Sequence, residues 1–207
     1  MYSPAQFRVE ELEQAHALMR RYPFAVLVST GAGGLVASHL PMLVRREPAP
    51  QGKIVGHMAR ANGQWRELDG REVMVVFNGA HAYVSPNFYA RPDDNVPTWS
   101  YAAVHAYGRA QVFDDRARLR ALLGDLVAEF ESRLERPWGM GGVEEKVQKL
   151  LGAIMGFEIR IERLEAKMKV GQNRDRDDRV SAEAILAKLP DEGSRQIAAW
   201  MRELGLV

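Results

Sequence analysis

Cysteine is absent from the chain, and that one absence removes disulfides, thiolate metal sites and thiol nucleophiles together. A cysteine-free chain fits a reducing compartment, and the cytoplasm is the expected location. An excess of either charge is lacking too: 28 Lys and Arg against 27 Asp and Glu leave a formal net charge of +1. No global field therefore marks a nucleic-acid or membrane-surface binder. No apolar run approaches the roughly 20 residues that a membrane-spanning helix needs. The opening MYSPAQFRVEELEQ carries acids and no apolar core, so it reads as neither a secretory signal nor a transit peptide. GxGxxG, GxxxxGK[ST], GxSxG and the zinc-deaminase signature are missing, which withdraws support from the common nucleotide-binding and hydrolytic classes.

What is present is a strand-rich pattern. Leu12, Ala15, Leu18 and Met19 recur at helical spacing between Val9 and Tyr22, and Pro23 ends the pattern. FAVLVST and LVASHLPMLVRR follow around GAGG, whose glycines suit a tight hairpin. KIVGHMA, EVMVVFN and AHAYVS read as three more strands, with one short helix in ARANGQWRELDG. PNFYARPDDNVPTWS has three prolines and no periodicity, and is expected as a long ordered loop before the strand YAAVHAYGRAQVF. Asp114 is a candidate cap for a helix reaching Ser132, whose stripe is Leu119, Leu122, Leu123, Leu126, Val127 and Phe130. Phe157, Ile159 and Ile161 alternate with Glu158, Arg160 and Glu162, the period of a half-exposed strand. Two short helices are expected at 182–189 and 194–204. Six or seven strands with few helices between them predict an α+β fold, mainly antiparallel β, closed or partly closed into a barrel with peripheral helices. Residues 1–170 form the expected barrel domain, and 171–207 a helical C-terminal extension packed on the barrel or on a dimer partner.

Candidate chemistry gathers in three places. GHMARANGQW ends a strand with His57, Arg60 and Asn62 where the backbone turns into a short helix, a geometry that suits a phosphate. An isolated Arg-x-Asn is more commonly a surface ion pair and a helix cap. NVPTWSY sets Thr98, Trp99 and Tyr101 beside Pro97; indole and phenol rings can border a flat aromatic ligand and Thr98 can offer it a hydroxyl, and Trp99 can equally plug a core. KVGQNRDRDDR carries Lys169, Gln172 and Asn173 before alternating charges that read as a solvated face. His39, His57, His81 and His105 fall in or beside strands without a metal-ligand spacing, so no metal site is expected.

MYSPAQF, SHLPM, GHMARANGQW, HAYVSPNFYA, VPTWSYAAVHAYG and MKVGQNR, in that order, resemble the PaiB family of FMN-binding negative transcriptional regulators over about residues 1–180. The resemblance implies a split β-barrel like that of pyridoxamine-phosphate oxidases and flavin reductases, binding FMN as a homodimer with the flavin at the subunit interface. Carried onto this chain, it makes Arg60 and Asn62 the phosphate contacts with His57 beside them and His39 near the site. Pro97, Thr98 and Trp99 become the ring environment, and Lys169, Gln172, Asn173 and Arg174 the closing segment, from the partner subunit where the site spans both chains. The chain departs from the family at Gly63 and Gln64, where Pro and His are common, and in MKVGQN, where KLSQN is usual. Two other functions compete with a regulator: a flavin-dependent oxidoreductase acting on a small molecule, and a haem-binding split-barrel protein with a strand histidine as axial ligand. The sequence offers no basic stripe or groove-reading helix, so direct DNA binding is not expected.

Overall fold

The computed structural model describes residues 1–207. Six strands are hydrogen-bonded in the order β1-β2-β3-β6-β5-β4 and close into a barrel. They are β1 (Phe24–Gly31), β2 (Gly34–Arg45), β3 (Lys53–Ala59), β4 (Glu72–Val84), β5 (Thr98–Phe113) and β6 (Ile154–Lys169). The helices are α1 (Leu12–Arg21), α2 (Arg116–Glu131), α3 (Glu144–Leu150), α4 (Arg176–Leu186) and α5 (Glu192–Glu203). The chain divides into two compact bodies: one holds Tyr22–Phe77 and His105–Leu164, the other Met1–Arg21, Asn78–Val104 and Glu165–Val207.

In the first body β1 and β2 form the expected hairpin, and Gly34 takes a φ of 103° that a side chain would resist. Period-two alternation then sorts the strands into two faces. Leu27 opposes Val75, Ile54 opposes Ile159, and Met58 opposes Met155; all six are buried, and they form the inner face. On the outer face α2 lays Leu122 and Leu126 against Leu43 of β2 and Val55 of β3, with Leu119 packed beside Met140, Val147 and Leu151.

In the second body the N-terminal segment runs along β6, where the Val9 amide donates to the Ala166 carbonyl. Ala182 and Leu186 of α4 are buried, as are Ile197, Ala198, Trp200 and Met201 of α5.

Four boundaries differ from the expectation, each for a local reason. EVMVVFN and AHAYVS are one strand: Asn-Gly looks like a turn, but Gly79 sits where its absent Cβ would lie 3.0 Å from Ala102, so it marks a close approach instead. The strand after the proline-rich loop begins at Thr98, and that loop contains two 3₁₀ turns, Pro86–Phe88 and Pro92–Asp94. Asp115 caps α2 in place of Asp114, accepting the Arg118 amide at 2.8 Å. The polar stretch before Val180 opens α4, with Asp177 and Asp178 in the first turn, where carboxylates complement the helix dipole.

Candidate functional site

β3 delivers its side chains alternately inward and outward, and His57 emerges on the outer face, two residues beyond Val55. It is half-buried, its Nδ1 has no hydrogen-bond partner, and burial lowers the pKa of the ring. An imidazole so placed is neutral near pH 7 and leaves a buried polar atom waiting for a partner. His39 lies on the outer face of the neighbouring strand β2, exposed and stacked on Phe24 at 6.2 Å.

Arg60 follows β3 and is anchored by its backbone: its amide donates to the Ala153 carbonyl at 2.7 Å, and its carbonyl accepts from Trp65 Nε1 at 2.9 Å. Its Nε donates to the Gly152 carbonyl at 2.8 Å, and one terminal nitrogen lies 3.6 Å from the exposed Asp114 carboxylate. A guanidinium has five N–H donors, so the fork keeps donors to offer an anion. Asn62 is engaged at both ends of its amide: Oδ1 accepts the Gln64 amide at 3.0 Å, and Nδ2 donates to Ser38 Oγ at 2.8 Å. It caps a 3₁₀ turn, Gly63–Glu67, where a short helix was expected. That turn is too short to present a row of free amides.

Sequence reasoning passed over Gln64 except as a departure from the family. Its side chain is 5% exposed, and Nε2 donates to the Leu27 carbonyl, Ser29 Oγ and the Val36 carbonyl, tying the hairpin to the turn that positions Arg60 and Asn62. The legible signal was its place just after a cap residue, where the side chain turns back toward the sheet.

The second body gathers Thr98, Trp99 and Lys169. Trp99 is 54% exposed and clusters with His81 at 6.0 Å and Tyr83 at 5.9 Å, so it is a surface ring and not a core plug. Pro97 beside it is exposed. Lys169 Nζ donates to Thr98 Oγ1 at 2.5 Å. Burial is the largest influence on the Lys169 pKa and lowers it; Tyr101 comes next and opposes the shift, while the charges of Lys167 and Arg174 add to the lowering. Gln172 staples a turn, its Oε1 accepting the Val170 amide at 2.8 Å and its Nε2 donating to the Met168 carbonyl at 2.7 Å. Asn173 is exposed and lines an open polar groove of about 640 Å³ with Arg91, Asn95, Arg174 and Asp178. The charges that follow are not all solvated. Asp178 is buried, accepting from the Arg91 amide at 3.2 Å and Asn95 Nδ2 at 3.0 Å. Burial raises its pKa, but these hydrogen bonds outweigh that effect and hold the carboxyl below its ordinary value.

The first body thus carries His57, Arg60 and Asn62 in succession along the chain at the end of β3, with His39 on the adjoining strand. The second joins Thr98 to Lys169 and sets Trp99 among other rings. No group of three or more His, Asp or Glu side chains is placed to hold a metal ion. No helix is long and apolar enough to cross a membrane.

Residues 1–163 match the family described as "Putative FMN-binding domain". The chain is 32% identical over 205 residues to the protease synthase and sporulation protein PAI 2 of Bacillus subtilis, covering 98% of this chain and 97% of that protein. The structure of the FAD and heme binding protein from Mycobacterium smegmatis superposes with a TM-score of 0.58 at 20% identity, covering 84% of this chain and 79% of that one. A flavocytochrome from Azotobacter vinelandii gives a TM-score of 0.58 at 17% identity, covering 79% and 69%. At such identities the structural likeness is one of fold, the flavin split barrel.

Proposed function

The chain belongs to this family of FMN-binding domains, and from that premise we propose that it is a PaiB-type flavoprotein, a cytoplasmic homodimer whose FMN serves a regulatory role. One feature carries the cofactor assignment: the end of β3 presents the Arg60 guanidinium, which has donors to spare, and, three residues earlier in the chain, a half-buried His57 whose Nδ1 has no partner. Those groups fit a phosphate, which brings both charge and acceptor oxygens. Pro97, Thr98 and Trp99 border the ring, and the Lys169 to Asn173 segment closes the pocket. Asn62 and Gln172 act indirectly, because their side-chain atoms already hold the turns on which their neighbours stand. Bound FMN supplies one- and two-electron redox chemistry; the chain supplies orientation and charge.

The outer face of the first body supports the dimer reading. Val26 pairs with Val76 and Val28 with Met74, all half-exposed, and Phe24 and Leu35 stand 65% and 79% exposed nearby. An apolar sheet face of this kind is covered in a stable protein, and a second copy presents the same face in return. In that dimer each flavin is held by Arg60 of one chain and by the Thr98 to Asn173 side of the other.

A regulator that bound DNA itself would show a basic reading surface. Helix α5 exposes Glu192 and Glu203 alongside Arg195 and Arg202, so its charges cancel, and regulation runs through a small molecule or a protein partner. Calorimetric titration of FMN against riboflavin tests the cofactor reading. FMN should bind about 10- to 100-fold more tightly, and Arg60→Ala should erase the difference. Equal affinities in the wild type would remove the phosphate site. The absorption spectrum of the purified protein separates flavin from haem.

A further inference from the structure

FMN carries one strongly anionic group, its phosphate, and its oxidised ring is uncharged, yet the second body holds two lysines on one face of β6 that no carboxylate pairs with. Lys167 is only 5% exposed. Buried lysines are almost always paired with a carboxylate. Here Nζ donates to the Tyr2 carbonyl at 3.2 Å and faces the rings of Tyr101 at 5.0 Å, Tyr2 at 5.6 Å and Phe7 at 6.0 Å. The nearest acid along the same face of β6, Glu165, is bonded to the amino terminus. Lys169, the next residue on that face, makes no ion pair either and spends one N–H on Thr98. Two N–H groups of Lys169 remain, and the Thr98 hydroxyl, already accepting, has its own proton to give. Arg174, close enough to depress the Lys169 pKa, lies over the Tyr89 ring at 4.9 Å. Trp99, next to Thr98, adds an exposed apolar shoulder.

We propose that Lys167, Lys169 and Thr98 form an anion-recognition site for the carboxylate or phosphate of a small organic ligand, a second ligand beside FMN. The inference rests on the preceding reading in two respects: the FMN phosphate is assigned to Arg60, and Thr98 and Lys169 stand at the flavin's edge, where they can meet a ligand lying beside it. Cation–π contacts and the Tyr2 carbonyl account for the burial of Lys167, but they leave the charge of the pair uncompensated, and donors without acceptors select an anion.

The experiment titrates inorganic phosphate by calorimetry, at ionic strength fixed with chloride, into FMN-saturated and flavin-free protein. FMN-saturated wild type should bind one phosphate per chain, and Lys169→Met and Thr98→Val should each weaken it about ten-fold or more while Lys169→Arg retains it. Flavin-free Arg60→Ala should keep the same phosphate, an arm that decides the question even if FMN binds elsewhere. Near-ultraviolet circular dichroism confirms that Lys169→Met remains folded. Unchanged phosphate binding in Lys169→Met, or none in FMN-saturated wild type, overturns the site. Should FMN bind Arg60→Ala with wild-type affinity and expel the phosphate, the lysine pair takes the flavin's own phosphate and the second ligand falls. Benzoate should displace phosphate at about three- to ten-fold lower concentration than acetate, through Trp99; equal displacement removes the organic part of the claim.

Discussion

Leu35 and Leu43 stand on the same face of the same strand, β2, and their fates differ: Leu43 is buried under α2, and Leu35 is 79% exposed. The strand pattern is the same at both, so what separates them is whether a helix of the same chain reaches that part of the outer face. Where α2 reaches, it and the outer face share one core. Where it does not, across β4, β1 and the start of β2, Met74, Val76, Val26 and Val28 form a face that intramolecular packing leaves open.

The largest expected effect breaks the open half. Val28→Asp with Met74→Asp should raise the dimer dissociation constant about 100-fold or more, seen in ultracentrifugation, with the circular dichroism spectrum unchanged. A wild-type monomer at micromolar concentration would leave that face with no occupant in a second copy. Next comes the leucine comparison itself. Leu43→Ala should cost about 2–5 kcal/mol in denaturant unfolding, through lost contacts and the cavity under α2. Leu35→Ala should cost less than about 0.5 kcal/mol, measured at protein concentrations where the monomer prevails.

If the open face pairs two chains around shared flavins, complementation follows. Arg60→Ala and Asn173→Ala homodimers should both bind FMN poorly, and their mixed dimer should regain one of its two sites, because the other collects both defects. Equilibrium dialysis counts the recovered flavin; no recovery would assign each site to a single chain.

Smaller effects come from titration. Burial depresses the His57 pKa, so between the folded and unfolded values the unfolded chain holds the extra proton. Stability of flavin-free protein should therefore fall as pH drops below about 6.5, and His57→Gln should flatten that slope. A phosphate beside the ring favours its cation, so FMN binding should take up a proton, read from the buffer dependence of the calorimetric enthalpy. Smallest is the pin between α2 and α3. Arg120 grips Glu144 through Nε and Nη2 at 2.7–3.1 Å, and with a hydrogen bond from Gln148 this holds the carboxyl down to about 2. Arg120→Met should return it toward the ordinary carboxylate range in a carbon-detected NMR titration, without touching the open face.

Much was determined by the sequence alone. The apolar run in FAVLVST and the period-two alternation around Phe157 name strands, the stripe from Leu119 to Phe130 names a helix, and glycines between apolar runs name a hairpin, because these patterns reflect backbone geometry local to each segment. The ordered motifs named the family and, through it, the cofactor. Tertiary structure decided what depends on distant neighbours. Gly79 continues a strand because Ala102 lies close against it, and Asp178 is buried because the segment from Arg91 to Asn95 folds over it. Asn62 proved to be a cap because Ser38 and the Gln64 amide claim both ends of its amide, while Arg60 keeps donors free. The cation pair of Lys167 and Lys169 was invisible as a site in the sequence, since a lysine's burial and its lack of a carboxylate follow only from what the folded chain places around it.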